Sequence, residues 1–100
     1  MANSRNHNNL SKGMLNVVGK NIKKYRIESN LSRQSLSNKM IMIGVDVPSN
    51  SIYEIETGKR TVVDYELCAM CKVLKIPVEY VIKDYYKSLD NVWKFIIKYL

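Results

Sequence analysis

The chain has 100 residues, 46% of them hydrophobic, which allows one small domain with a single core. No apolar run approaches the ~18 residues that a membrane span needs, and the polar start lacks the apolar stretch of a secretory signal, so we expect a cytoplasmic protein. The formal net charge of +7 favours a polyanionic partner, nucleic acid before membrane, although solubility alone is the alternative.

The first third of the chain predicts an arm and one helix. Residues 1–13 are rich in Asn and Ser and show no apolar periodicity, so we expect a mobile arm. Apolar residues then recur at i, i+3, i+7 and i+10, which predicts a first helix with one apolar stripe. The stripe consists of Leu15, Val18, Ile22 and Tyr25. Asn30 comes next, a residue that tolerates the left-handed conformation at a helix end.

Two short helices are predicted next. Ser32 is a suitable N-cap for a second helix over roughly residues 33–42. Gly, Asp and Pro then interrupt the pattern, and the turn between Ile41 and Val47 leaves open whether this helix gains a further turn. A third helix is predicted to begin near Pro48 and to end at Gly58, because Pro favours the first position of a helix and Gly its end. Residues 58–63 are predicted to form a loop.

The last third predicts three helices. Asp64 is expected to cap a fourth helix, and Pro77 to end it and to open a short fifth one. Apolar residues recur from Leu89 to Leu100, which predicts a further amphipathic helix. The fold class is therefore all-α. We expect the arm 1–13, a domain over residues 14–84 and a separate C-terminal helix over residues 85–100.

Few residues of the sequence are candidates for catalysis or for binding a metal. Cys68 and Cys71 lie one helical turn apart and are predicted to be two buried thiols. A zinc site needs about four ligands, and the sole histidine, His7, lies in the polar arm. The sequence has no nucleophile beside a base, no paired carboxylates in an apolar setting and no Gly-rich phosphate loop. We therefore expect no enzyme activity, no cofactor and no metal.

Two segments carry a resemblance to a known family. The segments are Ser32-Arg-Gln-Ser-Leu36 and Ser51-Ile-Tyr-Glu-Ile-Glu-Thr-Gly-Lys-Arg60. Together they resemble the Cro/repressor-like (xenobiotic-response-element) helix-turn-helix regulators. The stretches 64–67 and 73–81 match the later part of that family's pattern. The resemblance covers about residues 17–82. It implies a lambda-repressor-like five-helix bundle, to which the C-terminal amphipathic helix is additional. It also implies sequence-specific binding of double-stranded DNA by a transcriptional regulator, most simply a repressor.

The resemblance also implies which residues contact DNA. Helices two and three form the DNA-reading unit, and the helix from Pro48 enters the major groove. Ile52 and Ile55 would anchor its inner side. The outward side chains are candidates for base edges: Ser49, Asn50, Tyr53 and Glu54. Flanking side chains are candidates for phosphates: Arg33, Gln34, Thr57, Lys59 and Arg60. The alternative is a solvated polar helix face.

The chain departs from the family pattern in three ways. Arg33 stands where many relatives have Gln, which suits phosphate or guanine rather than adenine. The turn from Ile41 to Val47 is about five residues longer than the tight turn of repressors, and Glu54 stands where a basic residue is frequent. Glu56, an acid in a DNA-binding segment, is implied to be structural, capping or pairing locally.

The C-terminal helix has two open interpretations. One recognition helix contacts too few base pairs for useful specificity, so we expect a homodimer on a palindromic site. The candidate interface residues are Leu89, Val92, Trp93, Ile96 and Leu100; alternatively, this helix packs onto its own bundle. A second function is a protein-interaction module, such as an antitoxin or an antirepressor-binding partner. No small-molecule ligand is expected, and the Asn-, Ile-, Lys- and Tyr-rich composition suggests a bacterial or phage-encoded, nucleoid-associated protein.

Overall fold

A computed structural model describes residues 13–99 and shows an all-helical protein. The predicted arm, apart from Gly13, and the predicted interface residue Leu100 lie outside the described residues. Five helices succeed one another within the described range and no strand occurs there: α1 (Gly19–Glu28), α2 (Arg33–Met42), α3 (Ser49–Glu56), α4 (Asp64–Leu74) and α5 (Glu79–Ile97). The all-α prediction is confirmed. Over residues 13–99, no helix combines the length and the apolar character that a membrane crossing requires.

Helix α1 begins later than the apolar stripe predicts. The Asn16 side-chain oxygen accepts hydrogen bonds from the backbone N–H groups of Val18 (3.0 Å) and Gly19 (2.7 Å), so Asn16 satisfies amides that the helix itself leaves free. Leu15 therefore precedes the helix and is 53% exposed. The prediction that Leu15 belongs to the buried stripe is wrong, because the cap at Asn16 takes Leu15 out of the helical period.

The segment before α1 is tied to the end of α3. The Asn16 amide nitrogen donates to the carbonyls of Ile55 and Arg60, each at 2.9 Å. The Leu15 N–H donates to the Gly58 carbonyl at 2.8 Å. Gly58 has a φ of +78°, and Met14 fills the space that a side chain at this position would need. The end of α3 is thereby fixed by residues far away in the sequence.

The boundaries of α2 and α3 agree with the predictions. The Ser32 hydroxyl accepts from the Ser35 N–H at 3.0 Å and caps α2, and Asn30 adopts the left-handed conformation that was expected of it, with φ +58°. Helix α2 ends at Met42 and gains no further turn. Residues 43–48 connect it to α3, and Gly44 supplies the positive φ of +90° in this connection.

The core lies among α1, α2, α3, α4 and the first turns of α5. Ile52 and Ile55 are fully buried, as predicted for the inner side of α3. The other large side chains that are completely enclosed come from the remaining helices and from the connection before α3: Ile22, Leu36, Met40, Val47, Met70 and Val81. Helix α3 is thus anchored along one side only.

A buried charge cluster joins three helices. The Glu56 carboxylate has no solvent exposure and accepts from Arg26 on α1 (Nε at 2.6 Å, Nη2 at 3.1 Å) and from Arg33 on α2 (Nε at 3.0 Å). Arg26 also donates to the Leu31 carbonyl at 2.8 Å. Glu56 is therefore structural, as the resemblance implied, but its partners are distant in sequence rather than local.

Helix α4 differs from the predictions at two positions. Asp64 is its first residue rather than its cap, and the Val63 N–H is instead satisfied by the Glu66 carboxylate at 3.0 Å. Cys68 is exposed, whereas Cys71 is buried, so the prediction of two buried thiols is wrong for Cys68. Burial, together with the neighbouring Cys68, raises the pKa of Cys71 to about 11.

The two predicted C-terminal helices form one. Helix α5 runs without a break over 19 residues, so the expected division between residues 84 and 85 falls inside it. No Pro or Gly occurs between its ends, and residues 83–88, four polar residues and two tyrosines, include no helix breaker. Val81 packs in the core, and its carbonyl accepts from Asn21 on α1 at 3.1 Å. From Leu89 onward the helix is exposed, so packing onto its own bundle is wrong for residues 89–97.

Candidate nucleic-acid interface

A shallow polar groove lies where the N-terminal ends of α2 and α3 meet. It encloses about 400 Å³, is widely open, and is lined by Arg33 and Gln34 from α2 and by Ser49, Asn50 and Tyr53 from α3. Three of the four predicted base-contacting residues and two of the predicted phosphate-contacting residues are thus brought together, although the two groups are 15 residues apart in sequence. We call this surface the polar groove.

Tyr53, which lines the polar groove, has two cations close to its ring. Its ring is 5.1 Å from the Arg33 Cζ and 5.3 Å from the Lys59 Nζ, measured to the ring centroid. These distances are those of cation–π contacts, which hold long basic side chains against an aromatic face. Tyr53 is still 38% exposed. Two positively charged side chains are therefore held at the Tyr53 ring beside the polar groove, and the ring remains accessible to a ligand.

Besides its contact with Tyr53, the Arg33 side chain is held by one hydrogen-bonding atom within residues 13–99, its Nε. Nε donates to the buried Glu56, and the side chain is 32% exposed. Within residues 13–99 neither terminal nitrogen of Arg33 makes a hydrogen bond. A guanidinium that is fixed at Nε and leaves its outer fork available suits the bidentate binding of phosphate or of a base edge.

The start of α3 leaves its own amides available. Pro48 is the N-cap residue and makes no side-chain capping bond. The first N–H groups of α3 therefore have no capping partner and point out of the helix end, where they can meet a ligand or water. Asn50 is exposed and Ser49 is half-buried beside this end. The Gln34 side-chain amide donates one hydrogen bond to the Asn38 side-chain oxygen at 2.9 Å, and the Gln34 side-chain oxygen is available as an acceptor.

Four predicted site residues do not line the polar groove, and one of them, Lys59, reaches only its edge through the contact with Tyr53. Glu54 is half-buried on α3, and the Thr57 hydroxyl donates to the Tyr53 carbonyl at 2.9 Å. Arg60 donates to both oxygens of Glu66, each at 3.0 Å, and to the Thr61 carbonyl at 2.9 Å. The structure thus gives Arg60 a partner within the protein, six residues further along the chain, which the pattern of residue types does not reveal.

The Arg60–Glu66 pair makes stability depend on pH. Partial burial by itself raises the pKa of Glu66, but the hydrogen bonds from Arg60 and the Val63 N–H, with the charge of Arg60, lower it below its ordinary value. The pair therefore stabilises the fold fully above the unfolded pKa of about 4.3, and this contribution is lost as the pH falls through the folded pKa.

We expect Glu66→Gln to lower the free energy of unfolding by about 1.5–3 kcal/mol at pH 7, the range of hydrogen bonds to charged groups. The difference from the native chain should shrink as the pH falls below about 4.3. Urea titrations at a series of pH values measure this difference. Asp90→Asn, on the exposed face of α5, removes one carboxylate that has no ion pair within residues 13–99 and is the control. A difference that stays constant down to about pH 3, well below that unfolded pKa, would contradict the assignment.

Neither a metal site nor a known relative bears on this surface. No group of three or more His, Cys, Asp or Glu side chains within residues 13–99 is placed to hold a metal ion. Comparison of the chain with protein-family models, with curated proteins and with solved structures finds no match.

Proposed function

We propose that the chain is a sequence-specific regulator of transcription that binds double-stranded DNA, acts as a repressor and belongs to the Cro/repressor-like helix-turn-helix type. The polar groove carries this proposal. There, hydrogen-bonding side chains at the exposed start of α3 lie beside cations from α2 and from the loop after α3. Base-edge recognition flanked by phosphate contacts needs this combination.

Each side chain of the polar groove has a role in such a complex. Asn50 can donate to and accept from adenine in the major groove, and Ser49 can do either. Tyr53 offers its ring to a thymine methyl group. Arg33 and Lys59, which both lie close to that ring, contact the phosphates that flank α3. Gln34 contributes its amide from the first turn of α2, where the helix dipole also favours an anion.

The second half of α5 supports a dimer. Between Tyr86 and Tyr99, in the later part of α5 and just after it, eight large apolar side chains are 41–76% exposed, an unusual apolar surface for a monomer of this size. They are Tyr86, Leu89, Val92, Trp93, Phe95, Ile96, Ile97 and Tyr99. Two copies that pair through this surface carry two recognition helices, as a palindromic site requires.

A salt titration tests the proposed function. DNA fragments selected from a random pool are titrated with the protein by fluorescence anisotropy at salt concentrations from about 50 to 200 mM. Over this range, added salt weakens the binding of a protein with about 6–10 phosphate contacts by about 10³–10⁵-fold. We expect the logarithm of the affinity to fall linearly and steeply with the logarithm of the salt concentration. Binding that is independent of salt, or a selection that enriches no sequence, would overturn the proposal.

Two substitutions separate base contacts from phosphate contacts. We expect Asn50→Ala to reduce the discrimination between the selected site and its single-base variants by about 1–3 kcal/mol at one base position. We expect Lys59→Ala to weaken binding to all sequences about equally and to reduce the salt slope by about one. Anisotropy titrations against a panel of site variants measure both. Equal effects of the two substitutions on discrimination would contradict the assigned roles.

The exposed half of α5 also supports a second function, a protein-interaction module with an antitoxin-like or antirepressor-binding role. Its apolar face is as compatible with a different protein as with a second copy. The mass in solution distinguishes the two. A dimer that buries Trp93 favours the first function, and a monomer whose Trp93 stays exposed in the presence of DNA favours the second.

A further inference from the structure

A second hollow lies at the other end of α2, between the C-terminal ends of α2 and α4. It encloses about 490 Å³ and has an apolar floor formed by Leu31, Met42, Ile43, Val73 and Leu74. Three lysines surround this floor, and we call the surface the basic-rimmed hollow. Its volume lies within the range of sites that enclose a ligand or an anchoring side chain.

The apolar side chains here are more exposed than the fold requires. Met42 is 82% exposed, and its neighbours Ile41 and Ile43 are each 52% exposed. They end α2 and begin the connection to α3, a position where polar residues would serve the fold equally well. Three consecutive exposed apolar residues beside a hollow are the usual mark of a surface that a partner covers.

The rim fixes the charge of that partner. Lys39, Lys72 and Lys75 line the hollow, and no acidic residue lines it. Within residues 13–99 none of the three forms an ion pair, although three arginines of the same fold do. Lys75 also adopts the left-handed conformation, with φ +61°, which glycine adopts at lower cost. The hollow therefore presents positive charge around an apolar floor.

A second copy of the chain does not fit this description. Its exposed apolar element is the second half of α5, whose polar face carries Lys87 and Lys94 against Asp90, with Lys98 directly after the helix. Like charges across an interface oppose association. The partner must instead combine apolar side chains with several carboxylates, because three separated ammonium groups exceed what a single carboxylate can satisfy.

We infer that the basic-rimmed hollow docks an acidic amphipathic helix from a different protein, with leucine-like side chains on the floor and carboxylates on the three lysines. Gln34 in the polar groove and Met42 in the hollow are eight residues apart on α2, about 12 Å along the helix axis. The polar groove and the hollow share no lining residue, so the inferred acidic helix binds at a separate site. This inference does not rest on the proposed function.

Synthetic helices test the inference by NMR on the ¹⁵N-labelled full chain. The probe is a peptide of about 14 residues, roughly four turns, with Leu at i, i+3, i+4 and i+7 positions and Glu elsewhere. A matched peptide carries Lys in place of Glu. We expect the acidic peptide alone to bind, with its largest chemical-shift changes at Met42, Ile43, Val73 and Lys75.

A charge-reversed chain supplies the decisive comparison. The double substitution Lys39→Glu with Lys72→Glu should lower the affinity for the acidic peptide at least tenfold and should allow the Lys peptide to bind. Lys87→Glu with Lys94→Glu makes the same charge change on exposed positions of α5 and should leave binding unchanged. All four side chains are exposed, so both variants are expected to fold, which circular dichroism verifies.

Three results would overturn the inference. The first is equal binding of the acidic and basic peptides, which would show that the lysines select nothing. The second is a set of shift changes centred on Trp93 and Ile96 of α5 instead of the hollow. The third is tighter binding of decanoate than of the acidic peptide at the same residues, which would assign the hollow to a small carboxylate amphiphile and not to a protein.

Discussion

Replacing Glu56 by Gln is expected to lower the free energy of unfolding by about 3–5 kcal/mol, the cost of leaving a buried charge without its partner. Glu56 has no exposed surface, and the Arg26 side chain is only 8% exposed. The substitution keeps the shape of the side chain but removes the negative charge that compensates two guanidinium groups. Small domains are stable by about 5–15 kcal/mol in total, so this one change removes a large share of the stability.

Urea denaturation followed by circular dichroism measures the loss. Glu54→Gln is the matched control, because Glu54 lies on the same helix and has no ion pair within the described residues. We expect its effect to stay within about 0.5 kcal/mol. An unchanged urea dependence of the unfolding free energy would show that the variant still unfolds from the same compact state. A loss below about 1 kcal/mol for Glu56→Gln, the size of an ordinary substitution, would contradict the buried cluster.

Placing two carboxylates on the apolar face of α5, by Val92→Glu with Ile96→Glu, is expected to convert a dimer into a monomer. Both side chains lie on the exposed apolar surface, where pairing with a second copy would bury the new charges without partners. A protein that can hold only one half-site then loses the gain from simultaneous binding. We expect affinity for the complete site to fall about 10²–10⁴-fold, while affinity for an isolated half-site stays the same.

Analytical ultracentrifugation and anisotropy titrations on complete sites and half-sites measure the two effects together. Asn91→Glu with Lys94→Gln changes the net charge by the same amount on the polar face of α5 and should leave mass and affinity nearly unchanged. A doubly substituted Val92 and Ile96 variant that is still dimeric would place the interface elsewhere. A native chain that is monomeric at the concentrations used would favour the interaction module over the dimer.

The sequence predicts those parts of the fold that local chemistry decides. Ser32 caps α2 with its own hydroxyl, and Pro48 starts α3 by its fixed φ, so both helices begin within one residue of the predicted positions. Ile52 and Ile55 are buried because their spacing places them on one side of a short helix. These features depend on few neighbours, and the pattern of residue types is enough to find them.

The remaining features depend on contacts between distant segments. Leu15 lies outside α1, in a segment that Asn16 ties to the carbonyls of Ile55 and Arg60, which lie 39 and 44 residues later. Glu56 finds Arg26 and Arg33 on two other helices. A sequence read alone shows the charges but not which of them meet. The residues that line the polar groove could therefore be named from the sequence, whereas Glu56, the partner that holds Arg33, could not.

The uninterrupted course of α5 has a consequence for spacing. Each residue of an α-helix advances its axis by about 1.5 Å and turns it by about 100°. Because nothing bends α5 between Val81 in the core and Val92 outside it, these two residues keep a fixed distance and rotational phase. In the proposed dimer, the helix between Val81 and Val92 therefore fixes the position of each DNA-binding domain relative to the dimer interface. A single inserted residue there would rotate one DNA-binding half against the other by more than a quarter of a turn, so site geometry could change only in discrete steps.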